Sequence, residues 1–198
     1  MTFKVKGSRV SISFFFFFTV CIALVLDTTN TAVLTIFAAV IHESGHLLCM
    51  LACGEKPSKV FLAPFGMCIT RFSNCSHRRE MCIALAGPAA NLFAAAVMAA
   101  VMCICDLHGL FKPIAVNVSL AVFNLLPIEP LDCGRAIKCR LMCRMNSAKA
   151  EKTVFIIGII CLIPLSAFGF YILIRSRYNI TLLLASVYLS FTLLKRRE

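Results

Sequence analysis

Charged residues are scarce in this sequence. Only 15% of its 198 residues are Asp, Glu, Lys or Arg, whereas 60% are hydrophobic and the mean hydropathy is +0.90. A water-soluble domain cannot bury so much apolar surface, so the composition excludes a soluble protein and predicts an integral membrane protein. Six apolar runs approach or reach the length of a spanning helix, at about Ile12–Leu26, Ala32–Cys53, Met81–Cys105, Pro113–Leu126, Val154–Ile174 and Ile180–Leu194.

The connections between these runs are short and leave no room for a second, soluble domain. The sequence therefore predicts an all-α polytopic membrane protein, a single domain over residues 1–198 with about six transmembrane helices. No small-x-small cleavage site follows the first apolar run, which ends at Leu24–Asp27. We therefore expect an uncleaved first span rather than a signal peptide.

Acidic residues are few as well, nine against 20 basic ones, and the formal net charge is +11. If the N-terminus is cytoplasmic, six spans put 17 of the 20 basic residues on the cytoplasmic side and leave Lys112, Arg175 and Arg177 outside. This positive-inside distribution accounts for the charge without a nucleic-acid partner. We predict that both termini face the cytoplasm.

Paired metal-binding cysteines are absent, since none of the 12 cysteines forms a Cys-x-x-Cys pair. Many of them lie in apolar runs, where a thiol packs as a small hydrophobe. We therefore predict a structural role for most of the cysteines.

Histidine is rarer still, with four residues, yet two of them form a His-Glu-x-x-His pattern at His42–His46. Residues four apart share one face of a helix, so His42 and His46 can bind one metal ion. Glu43, beside them, can accept a proton from an attacking water molecule. The alternative is two buried histidines satisfied by neighbouring groups, although a membrane interior penalises ionisable side chains.

A catalytic zinc ion usually takes three protein ligands, so a third is needed. Asp27 and Asp106 fall in the predicted outside loops, whereas Asp132 begins a cytoplasmic segment, on the side where the histidines lie. Pro127 and Pro130 interrupt the helix before Asp132, and irregular backbone at membrane depth lies inside protein or lines a wet cavity. We predict Asp132 as the third ligand; the alternative is an ordinary loop.

The segment Lys59–Phe72 is too short and too broken for a spanning helix. Pro64 and Gly66 indicate a turn between two extended arms, which predicts a hairpin or re-entrant loop between the second and third spans. An exposed edge there could pair with a substrate backbone. The alternative is a simple connector. Glu129, between two prolines, is either close to the metal site or solvated.

Three separated elements resemble the site-2 protease family of intramembrane zinc metalloproteases. They are His-Glu-x-x-His at His42–His46, Gly-Pro-x-x-Asn at Gly87–Asn91, and Asn-x-x-Pro followed by Leu-Asp at Asn124–Asp132. The turn Pro64–Gly66 adds similarity to the sporulation branch of that family, which matures a pro-sigma factor in bacteria. One departure is Cys133, which stands where the family has the glycine of Leu-Asp-Gly.

The resemblance implies one zinc ion per chain, bound by His42, His46 and Asp132, with Glu43 as the general base. It implies that Asn124 lies near the site, where it polarises the scissile carbonyl or positions the substrate. Phe65 and Gly66 are then expected to contact the substrate together with Asn124.

These inferences predict an intramembrane zinc metalloendopeptidase of the bacterial cell membrane. Its substrate would be a membrane-spanning or membrane-adjacent protein, including a pro-sigma factor, and the oligomeric state is not indicated. A metal transporter is one alternative, although a transport path would need several sites. A second alternative is a catalytically inactive relative that binds membrane partners. The intact Glu43 argues against this alternative, whereas Cys133 in place of glycine leaves it open.

Overall fold

The computed structural model describes residues 2–5, 8–12, 18, 20–22, 24–25, 27–55, 57–63, 66–71, 76–176 and 181–195. The strand residues among them are described by their backbone pairing alone. The helices with defined bounds are α1 (Thr31–Ala52), α2 (His77–Cys105), α3 (Phe111–Asn124), α4 (Asp132–Met142), α5 (Ser147–Ser176) and α6 (Thr181–Lys195). A 3₁₀ turn at His108–Leu110 precedes α3.

Three of these helices, α1, α2 and α5, are long and apolar enough to cross a membrane, with 22, 29 and 30 residues. Helix α6 is a shorter apolar helix. The prediction of an α-helical integral membrane protein is confirmed in this form. The predicted fourth span corresponds to α3, whose 14 residues give roughly 21 Å, less than the ~30 Å of a bilayer core. Since the predicted first span is described only at residues 18, 20–22 and 24–25, the count of six stays a prediction.

Four strands form one sheet in the order β1 (Thr2–Val5), β2 (Ser8–Ile12), β3 (Pro57–Ala63) and β4 (Gly66–Arg71). The outer pairs are antiparallel, whereas β2 and β3 run parallel. Strands β3 and β4 are the two extended arms predicted between the second and third spans.

The N-terminal strands were not predicted. Phe3, Val5, Val10 and Ile12 alternate with polar residues, which is a strand pattern, but basic residues leading into a run of phenylalanines also match the start of a membrane span. The described part of the chain therefore contains a sheet in addition to its helices, and the expectation of an all-α chain did not include this sheet.

Helix α2 is central, because it packs against α1, α3 and α4. Small residues allow its closest approach to α1. A Cβ atom on Gly45 would lie 2.5 Å from the carbonyl oxygen of Ala86 and 2.6 Å from the Cβ of Ala90, so a side chain there has no room. Such small-residue contacts let helices pack closely in lipid, where the burial of apolar surface contributes little to helix association. The contact fixes α1 against α2 beside His46.

The irregular segment between α3 and α4 is anchored on its apolar side. A buried cluster joins it to α5 and α6 through Ile128, Leu131, Leu162, Leu189 and Leu193. Gly134, in the first turn of α4, packs against the backbone of the same segment, where an added Cβ would lie 2.5 Å from the amide nitrogen of Glu129. These contacts fix the entry into α4 and therefore the position of Asp132.

A polar network holds the same segment from α4 and α5. Lys138 Nζ donates to Glu129 Oε1 at 2.8 Å and lies 2.9 Å from Glu151 Oε1. Burial of Lys138 disfavours its charged form, but the two carboxylates outweigh this and raise the pKa of Lys138 above its usual value. Glu129 is thus a buried ion-pair partner rather than a solvated side chain.

Candidate metal centre

Three side chains meet in the groove between α1, α2 and the start of α4. His42 and His46 lie one turn apart on α1, both buried, with their Nε2 atoms 3.2 Å apart. Asp132 Oδ2 lies 2.9 Å from His42 Nε2 and 3.3 Å from His46 Nε2. The structure therefore brings together the three residues that the sequence predicted as ligands.

The orientation of His42 is fixed by Asn91 of α2. The amide nitrogen of Asn91 donates to the Ala38 carbonyl at 2.9 Å and to Asn117 Oδ1 at 2.8 Å, which uses both of its hydrogens. The oxygen of Asn91 therefore accepts from His42 Nδ1 at 2.7 Å. With its hydrogen on Nδ1, His42 presents the lone pair of Nε2 to the site.

His46 is oriented in the same way by backbone. Its Nδ1 lies 2.7 Å from the carbonyl oxygen of Ile83. A carbonyl can only accept, so Nδ1 carries a hydrogen, and in the neutral ring Nε2 then carries the lone pair. Hydrogen bonds of this kind behind a histidine ligand fix its tautomer and increase its basicity.

Three acceptor atoms therefore converge, and a positive charge is needed to hold them together. The two Nε2 lone pairs and the Asp132 carboxylate lie within 4.8 Å of one another. Two imidazoles and one carboxylate are a donor set that zinc takes in catalytic sites, with a fourth position left for water. The site fits a zinc ion.

Gly87 closes the groove from α2. A Cβ atom at this position would lie 2.8 Å from His42 Nε2 and nearer still to His46 Nε2. Because Gly87 is buried and helical, its hydrogen leaves the space that the ligand atoms occupy. Any other residue here would push the imidazoles apart.

Comparisons with known proteins agree with this geometry. The family model described as "Putative zincin peptidase" matches residues 35–129, which include both histidines. The zinc metalloprotease MJ0392 of Methanocaldococcus jannaschii is 25% identical over 201 residues, 96% of this chain and 58% of that protein. Stage IV sporulation protein FB of Bacillus subtilis is 32% identical over 101 residues, 49% of this chain and 35% of that protein.

The chain is thus similar to zinc metalloproteases and to the site-2 protease family. The resemblance drawn from the three motifs is thereby confirmed. The fold agrees, because the solved structure of the site-2 protease from Methanocaldococcus jannaschii matches with a TM-score of 0.72 at 22% identity, covering 98% of this chain and 94% of that one. The chain spans between about a third and about three fifths of the length of these curated relatives.

The other residues predicted to act at the site lie as follows. Glu43 is half-buried on α1, next to His42. Asn124 ends α3 and donates from Nδ2 to the Leu120 carbonyl of its own helix at 3.0 Å, so its role at the site stays a prediction. Gly66 is the first residue of β4, whereas Phe65 lies outside the described residues.

Asn117 was missed as a functional residue, and Gly87 and Asn91 were noted only as parts of a family element. Asn117 extends the chain of hydrogen bonds, since its amide donates to the Pro113 carbonyl at 2.9 Å. A signal was present, because a buried amide inside an apolar helix of a membrane protein needs a partner. The partner itself depends on how α2 packs against α1 and α3.

Proposed function

We propose that this chain is an intramembrane zinc metalloendopeptidase that cleaves a membrane-spanning or membrane-adjacent protein. The convergence of two imidazole lone pairs and one carboxylate carries the proposal, because such a set needs a divalent cation at its centre. A zinc ion held by His42, His46 and Asp132 would supply Lewis acidity and lower the pKa of water to about 7. The names of the curated relatives support the same chemistry.

Glu43 is the proton carrier in this proposal. It follows His42 directly in α1 and is not one of the three side chains that converge. Glu43 accepts a proton from the attacking water and returns it to the leaving amine, which allows the peptide bond to break. Asn124 is proposed to position the substrate carbonyl.

The sheet supports a proposal for substrate binding. A helical substrate hides its carbonyl groups in its own hydrogen bonds, so it must unwind before cleavage. Strand β4 pairs with β3 on one side and is last in the sheet order, which leaves it a place to pair with an extended substrate. Gly66 and Phe65 at the β3–β4 turn would then contact the substrate.

Two finer proposals concern topology and substrate. Six spans with both termini in the cytoplasm agree with the distribution of basic residues. Thiol labelling in a cysteine-reduced background should then find positions near Lys56 and Lys138 reactive from the cytoplasm, and positions near Asn30 and Arg175 reactive from outside. The narrower substrate proposal is a bacterial pro-sigma factor, supported by the similarity to stage IV sporulation protein FB.

Glu43→Gln tests the catalytic proposal, since glutamine keeps the shape but cannot accept the proton. Co-expression with a panel of single-span membrane proteins tagged at both ends gives the readout, and zinc content of the purified chain is measured alongside. We expect cleavage to fall by about 10²–10⁴-fold at unchanged zinc content. Asp106→Asn, at an exposed carboxylate just after α2, is the matched control. Comparable cleavage by both variants would refute the role of Glu43.

A further inference from the structure

A second set of metal-ligating side chains lies outside the centre described above. His77 and Glu80 of α2 and Cys139 of α4 each offer one ligand atom, and these three atoms lie within 4.8 Å of one another. His77 and Cys139 are 62 positions apart, and no sequence motif joins the three residues.

The two sets share helix α4, which supplies Asp132 to the first set and Cys139 to the second. His77 and Glu80 lie three apart in the first turn of α2, and the same helix carries Ile83 and Gly87, which contact the histidine ligands. Cys139 follows Asp132 by seven residues on α4, so the two lie on the same face, roughly 10 Å apart along the axis. The packing of α2 on α4 thus brings His77 and Glu80 to Cys139.

The ligand atoms of the second set (His77, Glu80 and Cys139, here the outer set) differ from those of the first (His42, His46 and Asp132, the inner set). An imidazole nitrogen, a carboxylate oxygen and a thiol sulfur together suit a borderline divalent ion such as zinc, and the sulfur selects against magnesium and calcium. The carboxylate and the thiolate would balance the charge of the ion. These negative charges are needed because nearby basic side chains, including Arg79 and Arg135, repel a cation.

Burial is graded across the outer set. Cys139 is 4% exposed and is a reduced thiol, whereas His77 is exposed at the start of α2. Between them, Glu80 Oε1 accepts from Arg135 at 3.0 Å. A carboxylate has acceptor capacity beyond one such bond, and a hydrogen-bonded carboxylate is the usual form of a metal ligand. The arginine therefore orients Glu80 without excluding an ion.

We propose that His77, Glu80 and Cys139 bind a second zinc ion, distinct from the ion held by His42, His46 and Asp132. The buried sulfur anchors the ion to α4 and the exposed imidazole closes over it from α2. An open side at His77 allows this ion to exchange with solution more readily than the buried one.

The test uses the full-length chain purified in detergent, with zinc content and cobalt substitution as readouts. A thiolate ligand gives cobalt(II) an intense sulfur-to-metal charge-transfer absorption, whereas the inner set contains no sulfur. We expect the wild type to bind two equivalents of metal and to show this absorption. Cys139→Ser and His77→Ala should each lose one equivalent, and Cys139→Ser should also lose the charge-transfer absorption.

Matched controls are Cys143→Ser, an exposed thiol just after the end of α4, and His108→Ala, an exposed imidazole before α3. Both should keep two equivalents and the absorption. His42→Ala should lose the inner equivalent and keep the absorption. Because His77 is exposed, His77→Ala tests the site even if the buried Cys139→Ser variant folds poorly. One equivalent in the wild type, lost in His42→Ala, or an absorption that persists in Cys139→Ser, would overturn the proposal.

Discussion

The inner and outer ligand sets both take one ligand from α4, yet they differ in how their atoms are held. Behind each inner histidine stands a fixed acceptor, Asn91 Oδ1 or the Ile83 carbonyl, and both rings are buried. The outer set has one exposed ligand, His77, and its carboxylate is held by Arg135, whose side chain is 49% exposed.

The difference indicates a division of tasks. Preorganised ligands with fixed tautomers keep a catalytic ion in one geometry, which is what electrostatic catalysis requires. A set with an exposed member binds more loosely and exchanges more readily. Variants that remove one set and spare the other can therefore break or sharpen this comparison.

The largest effect is expected from Asp132→Ala. This change removes the only carboxylate of the inner set and leaves two imidazoles, fewer than the three ligands of a catalytic zinc site. We expect cleavage to fall to background and the inner equivalent of zinc to be lost, while cobalt at the outer set keeps its charge-transfer absorption. Normal zinc content in the purified variant would remove Asp132 from the inner set.

Gly87→Ala should come next. The new methyl group would lie 2.8 Å from His42 Nε2 and closer to His46 Nε2, so the imidazoles must move apart. We expect zinc affinity at the inner set to fall by about tenfold or more, as for other disturbances behind a ligand shell. Competition with a zinc chelator measures this. Gly109→Ala is the control, because its Cβ would meet nothing within 4 Å. Equal affinities in the two variants would contradict the packing argument.

Asn91→Ala should weaken the inner set without removing a ligand. His42 would lose the acceptor that fixes its hydrogen on Nδ1, so the ring can turn and change tautomer. Loss of such a partner costs about 10–100-fold in metal affinity or activity. Asn117→Ala, one hydrogen bond further away, should give a smaller loss of the same kind. If Asn117→Ala lowers the zinc affinity more than Asn91→Ala does, the proposal that Asn91 is the residue orienting His42 is wrong.

Local geometry decided how much of this could be predicted. His42 and His46 share a face in any α-helix, so the pattern alone placed them together, and the alternation of spans selected Asp132. No local pattern identifies the partners of Asn117 and Cys139, because those partners come from another helix. Their roles depend on the rotation of α2 against α3 and α4, which no spacing within one segment specifies.

The smallest effect is expected at Cys133, where the family has glycine. Cys133 lies in the first turn of α4 with helical backbone, so a side chain fits there without strain. Cys133→Gly should leave activity within a few-fold, because glycine in a helix costs only about 0.5–1 kcal/mol. Cys133→Ser should keep its zinc, since the inner set has three ligand atoms without sulfur. Zinc content and cleavage of both variants, measured beside Asp132→Ala, decide the matter: if Cys133→Ser loses the inner zinc while Asp132→Ala retains it, the third ligand is the thiolate.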